Sequence, residues 1–402
     1  MNAARLGLQA PSGYPCTRLK QTDFAINTCV LRQRACRVEY SHRRRGNCVC
    51  RVPVICAATS DGTTEINWDT LGFGLDNVAP FMYEATWNQT TGWVEGTLKP
   101  YGKLEVSPAA QVLNYGQGIF EGMKARRCDN GEIVLFRPDK NAERFRAGAA
   151  RLCMPEVPSA DFVSAVKSVV KANKEHVPPG DKGSLYIRPL LLGTGPILGL
   201  GPAPSYTFCI FAAAVGAYFK GGQLTPIDLL VETKFHRAAP GGMGGTKAAG
   251  NYSPVLVTQL DAKAKGYSDV VYLDARTDTY LEEVSSCNIF IVKGSRITTP
   301  ALEGTILPGV TRQSVLELAQ RLGYEVEERP VPVSEAMDAD EIFTTGTAVV
   351  LSAVGSLTHN GERRQFGQPG EPTPVALELY NALTSLQDGK ADDPLGWVVP
   401  VC

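Results

Sequence analysis

Apolar residues in this chain recur in two distinct rhythms. In 141–152, Ala142, Phe145, Ala149 and Leu152 repeat at helical spacing, which predicts a helix with one buried face. A second helix is predicted near Thr311, with Val315, Leu318, Ala319 and Leu322 as its stripe, and a third opens at Ser253 or Pro254. The near-continuous apolar runs at 184–192 and 206–215 read instead as buried strands, separated by a Gly/Pro-rich turn at 193–204. Further strands are predicted at 227–231, 270–273 and 289–292. Folded structure is expected to begin near 63–68, and 219–226 reads as a connection between domains. This pattern predicts an α/β (α+β) protein. A small domain spans 58–222, a larger one spans 223–395, and 396–402 is a tail. The polar stretch after Asp388 is expected to carry little order until Trp397.

Composition narrows the class. At about 150 residues per domain, 402 residues suit two or three domains. The formal charge of −1, with 44% hydrophobic residues, excludes a disordered chain and a strongly basic nucleic-acid binder. No run approaches the roughly 18 apolar residues of a membrane helix.

The near-neutral total hides an asymmetry. Residues 1–57 hold nine Arg and one Lys against Asp23 and Glu39, a net of +8, so the rest carries −9. An Arg-rich, acid-poor start without a long apolar run reads as an organelle transit peptide, with cleavage near Cys56 and Ala57. The plastid stroma is the expected destination and the mitochondrion the alternative. Few Ser residues depart from that pattern, and a basic arm for RNA or an acidic partner is the other reading. Six of eleven Cys fall in this leader. The remaining thiols form no disulfide pattern, which suits a reducing compartment.

Several chemistries lack their parts. After the leader there is no C-x-x-C, no H-E-x-x-H and no G-x-S-x-G, so no metal site or serine hydrolase is expected. The segment Gly241-Gly242-Met243-Gly244-Gly245-Thr246-Lys247 suggests a phosphate loop, but Thr246 precedes the lysine and Ala248 follows it, where Gly and Ser or Thr are required. Either it is a flexible turn, or its glycines clear space so that a bulky group can sit on the Lys247 amine. A neutral lysine bonds carbonyls covalently, including that of pyridoxal phosphate. Such a site needs a phosphate cradle, a carboxylate for the pyridine nitrogen, a phenol for the ring oxygen and a water-excluding wall. Tyr252, Glu283, the 307–312 turn into a helix and the Gly346-Thr347-Ala348 turn are candidates.

Six segments occur together in order: Phe120-Glu121-Gly122-Met123-Lys124-Ala125, Ser184-Leu185-Tyr186-Ile187-Arg188-Pro189, Lys247 to Tyr252, Glu283 to Phe290, Leu307 to Arg312, and Gly346 to Ala348. From about Trp68 to Val354 the chain resembles the branched-chain amino acid aminotransferases of fold type IV, in a plastid form. The resemblance implies a two-domain pyridoxal 5′-phosphate enzyme. It would exchange amino groups between Leu, Ile or Val and 2-oxoglutarate, by a ping-pong route.

It assigns the catalytic, cofactor-bearing lysine to Lys247. Tyr252 goes to the ring oxygen and Glu283, rather than its neighbour Glu282, to the pyridine nitrogen. Arg144, Val310, Thr311 and Thr347 go to the phosphate. For substrate, Phe120 and Tyr218 would supply wall, and Tyr115, Tyr186 and Arg188 would receive the distal carboxylate of glutamate. The N–H groups of Thr347 and Ala348 would bind the α-carboxylate. A homodimer is implied, with the 198–200 loop (Leu198, Gly199, Leu200) near the partner's site. Two features depart from the family. Val349 and Ser352 stand where some members carry a C-x-x-C switch, and the segment 74–81 is one residue longer than usual. A D-amino acid aminotransferase or an aminodeoxychorismate lyase of the same fold, a non-catalytic pyridoxal phosphate binder and an ATP-binding loop protein are the rival readings.

Overall fold

The computed structural model describes residues 66–216 and 224–402. Between Phe81 and Gly216 the chain lays down eight strands: β1 (Phe81–Asn88), β2 (Gly92–Trp93), β3 (Thr97–Pro100), β4 (Gly118–Phe120), β5 (Met123–Arg127), β6 (Ile133–Phe136), β7 (Gly183–Gly193) and β8 (Ser205–Gly216). Helices α1 (Gln111–Tyr115), α2 (Pro138–Arg151) and α3 (Ser159–Ala172) lie among them. The long antiparallel pair β7–β8 runs unbroken from Gly183↔Gly216 to Gly193↔Tyr206 and forms the spine of this sheet. Burial along β7 alternates. Leu185, Ile187 and Leu191 are fully buried, while Tyr186 and Arg188 share the opposite, more open face. Phe145 of α2, Phe162 of α3 and Phe208 of β8 pack as one aromatic cluster under the buried face.

The chain leaves this sheet at Gly216 and enters a second at Ile227. The second sheet holds β9 (Ile227–Glu232), β10 (Asp269–Leu273), β11 (Leu281–Val284), β12 (Asn288–Lys293), β13 (Arg296–Thr299), β14 (Glu325–Glu328), β15 (Glu341–Gly346), β16 (Val350–His359) and β17 (Glu362–Gln365). Its order is β11-β10-β9-β16-β15-β12-β13-β14, with β17 on β16. Parallel and antiparallel pairs coexist, since β9 lies parallel to both β10 and β16. Four helices accompany it: α4 (Leu256–Ala264), α5 (Val310–Arg321), α6 (Val333–Met337) and α7 (Pro374–Gln387). Val315, Leu318 and Ala319 of α5 bury with Leu379 and Leu383 of α7 against Phe290 and Phe343.

The predicted strands and helices appear with small shifts. Helix α2 starts at Pro138, whose fixed φ suits a first turn, and α4 starts two or three residues late. The end of the chain differs from expectation. Asp388 pairs with Arg126, and Asp393 accepts from the Val398 N–H at 2.7 Å. Trp397 is buried under the Arg137 guanidinium, 4.5 Å away. Strand β18 (Val398–Pro400) then joins the first sheet beside β6. A polar sequence concealed the contacts to Arg126, Arg137 and β6 because these partners lie far away along the chain.

Candidate active site

Lys247 follows the glycine-rich loop and precedes a 3-10 turn, Ala249–Asn251. The Asn251 side chain donates to the Met243 and Thr246 carbonyls at 2.7 and 2.8 Å, fixing the loop. Gly244 and Gly245 allow close approach between loops. A Cβ on Gly244 would lie 2.0 Å from the Thr305 carbonyl oxygen. The main chain also ties Lys247 to the first sheet, because Phe120 N–H donates to its carbonyl at 3.1 Å.

The Lys247 ammonium donates to the Tyr252 hydroxyl at 3.1 Å and sits 4.6 Å from the Phe120 ring centre. Tyr252 meets that ring edge-on, with centroids 4.9 Å apart. Burial, reinforced by Arg144 and Arg188, lowers the Lys247 pKa to about 8. Burial pushes the Tyr252 phenol up to about 12.

Two buried arginine–glutamate pairs bracket this lysine. On one side Arg144 of α2 grips Glu121 through Nε and Nη2 at 2.7 and 2.8 Å. Glu121 has no exposed surface and also accepts from Asn141 at 2.8 Å. Burial works against the Arg144 charge, but Glu121 outweighs it and raises the pKa. On the other side Arg237 donates to Glu283 at 2.6 Å, with both side chains almost wholly buried. The Leu307 N–H reaches the same carboxylate oxygen at 2.9 Å. Burial raises Glu283 to about 7 despite these partners. Strand alternation sends Glu282 elsewhere, into a separate cavity with Asp274 and Thr305. Neither Glu121 nor Arg237 was singled out from the sequence. They lie 23 and 46 positions from their partners, so only the fold joins them.

Anion-binding groups converge on the same cleft. A cavity of about 300 Å³ is lined by Arg144, Gly245, Thr246, Lys247, Pro308 and Val310. Gly309 caps α5 without a side-chain bond, and the Val310 and Thr311 N–H groups have no protein acceptor among the described residues. An open helix N-terminus of this kind attracts phosphate. Arg144 spends three of its five N–H donors on Glu121 and the Pro308 carbonyl, leaving two for a ligand. The Thr347 and Ala348 N–H groups of the 346–348 turn are likewise free of protein acceptors among the described residues. These donors, with Lys247, Tyr252 and Glu283, fit a phosphorylated pyridine aldehyde.

The remaining candidates divide. Arg188 lies 5.1 Å from the Phe120 ring centre and donates to the Tyr186 hydroxyl at 3.4 Å. A Cβ on Gly122 would fall 2.2 Å from that hydroxyl, so a larger residue there would displace the Tyr186 ring. Phe73, just before the unusual 74–81 segment, packs edge-on against Tyr186. Tyr115 is not brought into this group. It is half-exposed and donates to the Leu198 carbonyl at 3.1 Å. Tyr218 lies outside the described residues.

Comparison with known proteins identifies the family. Residues 118–357 match the amino-transferase class IV family. The chain is 55% identical to branched-chain-amino-acid aminotransferase 5, chloroplastic, of Arabidopsis thaliana over 350 residues, 86% of this chain and 84% of that one. It is 54% identical to the chloroplastic branched-chain amino acid aminotransferase 2 of Humulus lupulus over 354 residues, covering 86% of each chain. The mitochondrial aminotransferase 1 of that plant is 49% identical over 350 residues, 86% of this chain and 88% of that one. Among solved structures, the Escherichia coli branched-chain amino acid aminotransferase superposes with a TM-score of 0.69 at 28% identity, covering 81% of this chain and 100% of that one. The T.th. branched-chain amino acid aminotransferase, solved with pyridoxamine 5′-phosphate, gives the same TM-score and identity, covering 81% and 99%. The chain therefore belongs to the branched-chain amino acid aminotransferases, pyridoxal 5′-phosphate enzymes of aminotransferase class IV.

Proposed function

We propose that this protein exchanges amino groups between Leu, Ile or Val and 2-oxoglutarate, with Lys247 bearing the cofactor and moving the proton. The observation that carries this reading is the half-buried Lys247 between two arginine–glutamate pairs, with free N–H groups on both sides. Pyridoxal 5′-phosphate, when bound, supplies an electron sink for the charge that develops at the substrate Cα. Lys247 would serve as the base that takes the proton from the substrate Cα and as the acid that gives it back, a role for which its lowered pKa is suited. Glu283 holds the proton on the pyridine nitrogen, and Arg237 keeps Glu283 in place. Tyr252 hydrogen-bonds the ring oxygen. Arg144, Val310, Thr311 and Thr347 hold the phosphate, and Glu121 aims Arg144.

On the substrate side, Phe120 and Tyr218 form apolar wall. Tyr186 and Arg188 take the distal carboxylate of glutamate, and the Thr347 and Ala348 N–H groups take the α-carboxylate. We place Tyr115 with the 198–200 loop, at the partner's site of a homodimer. Their hydrogen bond supports this, as do the exposed Leu198 and Leu200. Exposed Leu256, Val257 and Leu260 on α4 offer further apolar surface for that contact. The basic leader, 1–57, lies outside the described residues. With the chloroplastic relatives it supports a plastid destination, the mitochondrion being the alternative.

The test is the absorption spectrum of residues 58–402 loaded with cofactor. L-glutamate should convert the cofactor's visible band, and a branched 2-oxo acid should restore it. A band that ignores L-glutamate but responds to D-alanine or to aminodeoxychorismate would move the protein to another activity of this fold.

A further inference from the structure

The turn between β15 and β16 carries an unusual backbone and one long-range support. Strand pairing closes it at Gly346↔Val350. Val350 has a φ of 64°, in the left-handed region that a β-branched residue rarely occupies. The Thr347 and Ala348 N–H groups find no acceptor within the protein among the described residues. Such a turn needs something outside itself to hold its peptide planes.

That support comes from the other sheet. Lys124 of β5 sends its ammonium to the Ala348 carbonyl at 2.6 Å, across 224 positions of sequence. In the β5–β7 register Lys124 stands opposite Tyr186, so it shares the sheet face that carries Tyr186 and Arg188. Among the described residues Lys124 forms no ion pair, and the nearby Asp388 is engaged by Arg126. An ammonium taken from water without a carboxylate partner is costly unless it serves an anion. Burial, followed by the Arg126 charge, lowers its pKa to about 7, so the environment offers the ammonium little compensation.

We propose that Lys124 is a positioning residue for the substrate α-carboxylate, pinning the Ala348 carbonyl so that the Thr347 and Ala348 N–H groups stay aligned on the anion. A planar peptide makes this effective. Once the Ala348 carbonyl is fixed, only the two dihedrals of Ala348 separate that plane from the Ala348 N–H. The inference rests on the reading that the 346–348 turn receives the α-carboxylate.

The experiment compares the cofactor-loaded wild type with Lys124→Met and Lys124→Arg. Two competitive inhibitors of leucine turnover serve as probes: 4-methylvalerate and its neutral amide. The wild type should prefer the acid by about tenfold or more, the scale of a charge-assisted hydrogen bond. Lys124→Met should lose most of that preference. Its KM for leucine and for glutamate should rise about tenfold, with kcat within about threefold and the cofactor band unchanged. Lys124→Arg, which keeps a charged donor, should recover part of the preference. An unchanged acid-to-amide ratio in Lys124→Met overturns the inference alone. A wild-type ratio near one overturns instead the carboxylate reading of the turn. Loss of the cofactor band in both variants makes Lys124 a structural residue and also overturns the inference.

Discussion

Around Lys247 and Glu283 the charged side chains have buried partners, whereas Tyr115, Leu198 and Leu200 stand largely open to solvent. The cofactor end is a finished piece of architecture within one chain. Its ion pairs, its helix N-terminus without a side-chain cap and its loop bonds are all built from the protein's own groups, as preorganised electrostatics requires. The substrate end, as proposed, is assembled from a sheet face, a turn and exposed apolar surface. A resident cofactor rewards permanent order. Substrates that differ as much as leucine and glutamate call for a pocket of apolar wall with cations at its rim.

The sharpest way to break this contrast is to remove the residue at its centre. Lys247→Ala should cut turnover by about 10⁴-fold or more, because attachment and proton transfer vanish together. Steady-state rates with L-leucine measure this, and near-normal activity would remove Lys247 from the mechanism. Glu283→Gln should come next, lowering kcat by about 100-fold or more while Arg237 loses its buried counter-charge. The same change at Glu282 should leave kcat within a few fold. If Glu282→Gln is the more damaging, the strand register has been assigned to the wrong face.

At the substrate end effects should be smaller and selective. Arg188→Ala should raise the KM for glutamate about 10- to 100-fold, the scale of a lost hydrogen bond to a charged group. For leucine it should change less than about threefold, since that substrate brings no second carboxylate. Equal losses for both would mean that Arg188 supports Phe120 and Tyr186 rather than reading the side chain.

The same division governed what could be read from sequence. Lys247 and Tyr252 lie five positions apart, and Glu283 stands a few residues before an apolar strand, so local pattern and family resemblance pointed to them. Their counter-ions did not declare themselves. Glu121 stands in a recognisable segment, but only α2 packing beside β4 shows that it grips Arg144. Arg237 and Lys124 look like ordinary surface cations until the fold brings Glu283 and Ala348 to them. Long-range pairing also explains the polar C-terminal stretch, whose order depends on Arg126, Arg137 and β6. The resemblance groups Tyr115 with Arg188, and its hydrogen bond to the Leu198 carbonyl was not legible from the sequence.

The smallest effects should be slopes of opposite sign in the stability of cofactor-free protein. Lys247 has its pKa lowered from 10.5 to about 8, so between those values the unfolded chain binds more protons than the folded one. Stability linked to Lys247 therefore rises with pH across that window. Glu283 has its pKa raised from 4.5 to about 7, so the folded chain holds the extra proton there and its contribution falls as pH rises. Urea midpoints of wild type, Lys247→Met and Glu283→Gln across both windows separate the two groups. The gap between wild type and Lys247→Met should move in favour of the wild type from pH 8 to 10.5. The gap to Glu283→Gln should move against the wild type from pH 4.5 to 7. Parallel curves for Lys247→Met would mean that water reaches the lysine. The cofactor end would then be no more closed than the substrate end, and the contrast between them would fail.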